Sequence, residues 1–477
     1  MATSTVFTPS QCPPRPKKLF DNLSREHGFE RVTGQGEVPQ HLRGTLYRNG
    51  VGIMEQFGRR YDHLFEADGA VSAFRFSDDG LYTAARVVQS AGLVEERAAG
   101  RHLGSFAASW LTRLSRMHRG GRKNTANTHV VSWQDRLFAL MEGGKPTEID
   151  PESLHTIGES DLGGIVSGAF SAHPHRVASR NTLYNFGLSY GRETKLHIFA
   201  LPDRGAPSEL CQIPLAHPVL LHDFVVTDKH LVFFICPLKI RLWRMLLALR
   251  SFDQNFRWAP ELGTEVIVVP IDAPHKLRRF RTEAFHVFHF AGAYEDGDEI
   301  VVDYVRYADG NLLGALKDGS GLSWEQSKAP PPGHLHRARI QPNTGSFHSE
   351  PRCNVGCEFP RIPASIEGSR FGDIWMQSER YIDGFLRSQI SRIDEAGALR
   401  HHLLDSGQLC SEPVLVEDPS RPGKVLSLLT VVFDSYKESS SLLVLNPESL
   451  LVEARFELPQ VVPLSFHGSW VPGSASS

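Results

Sequence analysis

The stretch FHVFHFAGAYEDGDEIVVDYV, residues 285–305, reads as two apolar strands around an acidic, glycine-bearing turn. Glu295-Asp296-Gly297-Asp298 falls where a hairpin needs turn residues, and the flanks are rich in Val, Ile, Phe and Tyr. Runs of the same kind recur from about residue 45 to 470: LYTAARVV, THVVSW, RLFALME, TLYNFGLS, KLHIFAL, HLVFFI, EVIVVPI, VLSLLTVVF and SLLVLN. A second hairpin is expected at Trp133-Gln134-Asp135. The chain is therefore all-β. Sandwich, barrel and propeller all satisfy this pattern, and no clean sequence repeat selects among them. A closed all-β architecture of 477 residues can be one unit. The expected organisation is a flexible, proline-rich leader over residues 1–20 and a single folded domain over 21–477.

The same stretch carries His289 in an apolar strand, and three other histidines occupy similar short apolar settings far away. They are His173 in S-A-H-P, His222 in L-H-D-F and His467 in S-F-H-G-S-W. A local metal loop keeps its ligands close in sequence. Ligands this dispersed converge only where the fold brings distant strands to one axis. The chain has 22 histidines, and most must be ordinary core or surface residues. His175 shares a strand face with His173, and His286 lies three before His289, so spacing alone leaves both as competitors. Imidazole suits Zn, Cu, Fe and Ni, and ligating rings need acceptors for their second N–H. Glu142 in L-M-E-G-G, Glu358 in C-E-F-P-R and Glu412 in S-E-P-V-L are carboxylates in apolar settings that require such partners.

Composition excludes several classes. Charged residues are 22% and the formal net charge is −3, which gives no reason to expect a nucleic-acid partner. Six cysteines in so long a chain make no disulfide framework; Cys353 and Cys357 lack a second pair for zinc, and unpaired thiols in a reducing compartment are expected. The N-terminus has no apolar run behind a basic start, and no stretch reaches the ~20 apolar residues that span a bilayer. The chain reads as cytoplasmic. Two segments, Ser109–Lys123 and Lys239–Phe252, mix Arg with Leu, Met and Trp. They read either as short packed helices or as a basic, apolar surface for peripheral membrane contact.

The motifs taken together resemble the carotenoid cleavage oxygenase family over nearly all of residues 40–472. In chain order they are LYRNGVG, HLFEADGAV, EERAAGR, NTANTHVV, LFALMEGGKP, FSAHPH, LLHDFVVT, FHVFHFAGAYEDGD, CEFPRI, SEPVLVED and FHGSW. The resemblance implies a seven-bladed β-propeller, capped by loops and short helices over its metal-bearing face. It implies Fe(II) held by His173, His222, His289 and His467, with O2 as cosubstrate and an apolar polyene as substrate. It selects His173 over His175 and His289 over His286. It places Glu142, Glu358 and Glu412 behind three of the rings, leaves His173 without a carboxylate, and puts the Thr128 methyl beside the iron. The implied reaction is cleavage of a conjugated C=C bond of a carotenoid or apocarotenoid into two carbonyl products. A stilbene or phenylpropanoid dioxygenase, an isomerase on the same fold and a polyene carrier without turnover are the alternatives. Threonine at 128 leans toward oxygenase, since the isomerohydrolase branch carries valine. Met141 replaces the lysine with which the stilbene-cleaving branch grips a phenol, and Ala99–Lys123 holds no tyrosine. Gly292 stands in place of the usual Asn, and Glu66-Ala67-Asp68-Gly69 is a mild variant. Phe65, Phe170, Phe288 and Tyr294 are candidates for the substrate wall, with core packing as the other reading.

Overall fold

The computed structural model describes residues 12–473 apart from 33, 36, 105–106, 110, 113–114, 116–122, 247–251, 318–323 and 327–328. Every run named above forms a strand. The opening stretch becomes His286–Asp296 and Glu299–Tyr307, with Gly297 at φ +63° in the turn between them. His129–Trp133 and Arg136–Leu140 are joined by Gln134 and Asp135, both at positive φ, as a two-residue type I′ hairpin requires.

Six sheets of four to seven strands follow one another along the chain. The strand His230–Ile235 shows why they stack face to face. Leu231, Phe233 and Ile235 pack against Ile198 and Ile213 of the sheet before, while Val232 and Phe234 pack against Val302 and Tyr304 of the sheet after. A strand buried on both faces has no polar side, which explains the unbroken H-L-V-F-F-I. The series closes on itself. Gly44–Ile53 pairs antiparallel with Ser465–Pro472, so the first sheet takes its last strand from the C-terminal end. Leu46, Phe74 and Phe76 of that sheet then pack against Leu429, Leu442 and Phe456 of the final one. This is a propeller-type, all-β architecture.

Short helical pieces interlock on one side. Leu64 N donates to Leu316 O at 3.2 Å, and the His63 ring is 3.1 Å from Leu313 O. Phe65 there stacks edge-on against Phe252 and Phe466, the latter next to His467. Of the two mixed segments, 110, 113–114, 116–122 and 247–251 lie outside the described residues. In the rest, Leu238–Ile240 is a strand paired with Phe256–Trp258 and Leu242–Leu246 is helical, so the expected helix begins later than Lys239. Leu111 and Trp243 are exposed, whereas Ile240 and Phe252 are buried.

Part of the stretch expected as leader is packed against the fold. Lys17–Phe20 is a 3₁₀ turn with Leu19 and Phe20 buried; Leu464 N donates to Leu19 O, and Trp324 Nε1 donates to Pro14 O at 2.9 Å. Burying two large apolar side chains outweighs the freedom that polar, proline-rich composition suggests. Among the described residues no helix is long and apolar enough to cross a membrane. The six cysteines are unpaired.

Candidate metal centre

The eight singled-out residues lie on, or directly beside, strands drawn from all six large sheets, the four histidines from four different ones. His289 is within His286–Asp296, Glu358 within Ser346–Arg361 and His467 within Ser465–Pro472. His173, His222, Thr128 and Glu412 stand just ahead of strands, and Glu142 just after Arg136–Leu140. Their convergence is complete for the histidines. One ring nitrogen from each of His173, His222, His289 and His467 lies within 4.8 Å of the others, and all four rings are buried. Successive Nε2 atoms are 2.9, 3.1 and 3.1 Å apart.

The three glutamates stand behind three of these rings. His467 Nδ1 is 2.9 Å from Glu412 Oε1, His289 Nδ1 is 2.5 Å from Glu358 Oε2, and His222 Nδ1 is 2.8 Å from Glu142 Oε1. The last contact is off the N–H axis, so Glu142 Oε1 has no aligned donor. No carboxylate reaches the His173 ring among the described residues. A carboxylate at Nδ1 holds the proton there and leaves Nε2 as a lone pair. Lone pairs facing one another at about 3 Å in a buried space repel, and a cation between them removes the repulsion. The donor set therefore fits a metal ion bound by neutral imidazoles.

Charges follow this geometry. Burial pushes His173 well below the usual histidine range, and the neighbouring rings of His222, His467 and His289 push it further. Burial also lowers His467 strongly, against the opposing pull of Glu412. His289 goes the other way: burial lowers it, and Glu358 more than offsets that. The Glu412 carboxyl is raised by burial, yet Arg361, His467 and Arg48 together hold it well below the carboxylate range.

Several residues of the site escaped the sequence reading. Arg48, 1% exposed, donates to Glu412 Oε2 at 2.9 Å; Arg361 reaches Oε1 at 2.7 Å; Gly468 N donates to Oε2 at 3.0 Å. Tyr307 OH donates to Glu358 Oε1 at 2.6 Å. Asp223, beside His222, accepts from its own neighbour Phe224 N at 2.8 Å and from Phe290 N, beside His289, at 3.0 Å. It also binds His175 Nε2 at 2.8 Å, while His175 Nδ1 bonds Glu367. One carboxylate thus ties backbone near two of the rings, His222 and His289, to the side chain two residues beyond a third, His173. An acid inside the apolar L-L-H-D-F-V-V was the available signal. His175 is an ion-paired clasp, raised to about 10 because Glu367 and Asp223 outweigh its burial.

Thr128 is buried, its carbonyl accepts from His467 N at 3.1 Å, and its hydroxyl donates to Asn127 Oδ1 at 3.1 Å. The loop carrying it lies so close to Gly69 that a Cβ there would meet Ala126 O at 2.1 Å, which accounts for the glycine of E-A-D-G. Gly292 leaves room for Ile362, whose Cδ1 would be 2.4 Å from an added Cβ. Of the aromatic candidates, Phe288 stands edge-on to His222 and Phe65 to Phe466. Phe170 stacks on Phe199, and Tyr294 stands edge-on to Phe371.

A propeller-type scaffold with a buried four-histidine centre defines a class of metalloprotein, and sequence comparison gives the family. Residues 20–472 match the family described as Retinal pigment epithelial membrane protein, so the chain belongs to this carotenoid oxygenase family. Apocarotenoid-15,15'-oxygenase of Synechocystis is 29% identical over 460 residues, covering 91% of this chain and 92% of that protein. Isoeugenol monooxygenase of Pseudomonas putida is 27% identical, covering 91% and 93%. The crystal structure of cobalt-substituted Synechocystis ACO superposes with a TM-score of 0.84 at 26% identity, covering 97% of this chain and 100% of that one.

Proposed function

We propose that this protein is a non-haem Fe(II) dioxygenase that cleaves a conjugated C=C bond of a carotenoid or apocarotenoid with O2, giving two carbonyl products. The observation that carries the reading is four buried imidazoles converging through Nε2, three of them backed by carboxylates, in a chain whose relatives are oxygenases. Ferrous iron at that position supplies an electron-rich site where O2 meets the alkene.

The chain's own residues do the rest. His173, His222, His289 and His467 hold the metal. Glu142, Glu358 and Glu412 fix the rings through Nδ1 and keep Nε2 deprotonated. We assign the Thr128 methyl the place beside the metal that the family resemblance implies; its hydroxyl donates to Asn127 Oδ1. Phe288 and Phe65 provide an apolar wall that excludes water and aligns the polyene. The described chain from Lys17 onward acts as one unit, and the stacked clusters support seven blades when the 16-residue strand Ser346–Arg361 is read as shared by two. Exposed Leu111 and Trp243 support shallow contact with a membrane, where such a substrate dissolves.

A second reading, cleavage of a phenolic alkene, draws on the isoeugenol monooxygenase likeness. Buried Met141, where that grip needs a lysine, disfavours it. Incubation of iron-loaded protein with carotenoids, apocarotenals and stilbenes under labelled O2, followed by mass spectrometry, separates the readings. Labelled carbonyl fragments from polyenes are expected. An intact, rearranged skeleton means isomerase, and tight polyene binding with neither outcome means a carrier.

A further inference from the structure

His286 is unlike every other histidine near the site. It is 1% exposed, and both Nδ1 and Nε2 are enclosed without a hydrogen bond. No other histidine among the described residues has both nitrogens in that state. An enclosed N–H and an enclosed lone pair each carry a desolvation cost, and a phenylalanine would fill the same space without it.

Its surroundings point to the centre. His286 and Phe288 are two apart on one strand and share a face. The Phe288 ring is edge-on to His286 at 4.7 Å and to His222 at 5.1 Å, so a single aromatic ring separates the unpaired imidazole from the centre. Trp258 and Tyr307 complete the neighbourhood, each with its ring 6.5 Å away. Neither bonds it; the Tyr307 hydroxyl donates instead to Glu358. Burial pushes the ring down to about 3, and His222 adds to the effect, so His286 is neutral at ordinary pH. A neutral imidazole presents one donor and one acceptor.

We propose that His286 is a specificity-determining residue that hydrogen-bonds an oxygen substituent, hydroxyl or carbonyl, on the alkene held against Phe288. The inference rests on the reading that this site takes a conjugated alkene, and it narrows the substrate to one that is polar at one end. Hydrocarbon polyenes leave the imidazole unpaired and bind less well.

The test compares two polyenes of equal length, one ending in an aldehyde or hydroxyl and the other in a methyl group. Binding to iron-loaded protein is read without O2 by tryptophan fluorescence quenching, and KM with O2. The wild type is expected to prefer the oxygen-bearing polyene by about 10-fold. His286→Phe should erase that preference, through Kd and KM, with iron content retained; His286→Gln should restore part of it. Equal binding of both polyenes by the wild type overturns the proposal, as does a preference that survives in His286→Phe. If His286→Phe does not fold, the wild-type comparison and His286→Gln decide the matter. A His286-dependent binding preference with no cleavage of either polyene supports this inference while refuting the oxygenase reading.

Discussion

A single residue, Pro174, separates His173 from His175 in S-A-H-P-H, and different side chains close around each. Three imidazoles from other sheets face His173, and no carboxylate reaches its ring. Asp223 and Glu367 grip His175 at both nitrogens. Burial and like neighbours keep the first ring neutral, as a ligand must be; paired carboxylates keep the second charged. Residue type and local spacing are the same, so the partners delivered by the fold decide which imidazole can bind a metal.

The sharpest way to break this comparison is to truncate both. His173→Ala should lose bound iron and all measurable cleavage, by metal analysis and product assay. His175→Ala should keep its iron while losing about 3 kcal/mol of stability, because two carboxylates are left without their partner. Iron loss of similar extent in both variants would erase the distinction.

The glutamates extend the contrast. Glu412 is 1% exposed and shared by Arg48, Arg361 and His467, whereas Glu142 is 20% exposed with an off-axis contact. Glu412→Ala should lower iron affinity about 10–100-fold. It should also reduce stability by about 3–5 kcal/mol, since Arg48 is left buried and unpaired. Glu142→Ala should weaken iron to the lower end of that range, about 10-fold, with a much smaller shift in Tm. Chelator competition and thermal melts measure both quantities.

Asp223→Asn probes the tie between the two layers. It keeps the shape but removes the charge that holds His175, and a loss of iron affinity smaller than for Glu412→Ala is expected, with a raised off-rate for the metal. The last contrast is in pH dependence. His175 is raised from 6.5 to about 10 in the folded chain. Its contribution to stability is complete below pH 6.5 and is lost as pH rises through about 10. His129 is lowered to about 4, chiefly by burial, so its contribution is present above 6.5 and fades as pH falls toward 4. Melting curves from pH 4 to 10 should form a dome, and His175→Gln should flatten only the alkaline side.

Strands were legible because apolar runs alternate with turn residues, and the turn at Gln134-Asp135 carries its own chemistry. The four histidines that converge and the three glutamates behind them were legible only through motif order, since His175 and His286 present the same local pattern. The clasps were not. Arg48 lies in L-Y-R-N-G, hundreds of residues from Glu412, and meets it because Gly44–Ile53 pairs with Ser465–Pro472. Nothing local in either segment specifies that pairing. The packing of Leu19 and Phe20 was hidden for a similar reason: Leu464 and its neighbours, from the far end of the chain, bury them.

The central claim is that four imidazoles from separate sheets grip one iron. Diffraction from crystals of iron-loaded protein, recorded on both sides of the iron absorption edge, tests it directly. The account predicts one anomalous peak per chain, equidistant from Nε2 of His173, His222, His289 and His467. A peak at other residues, or none between these rings in protein that cleaves polyenes, would contradict it.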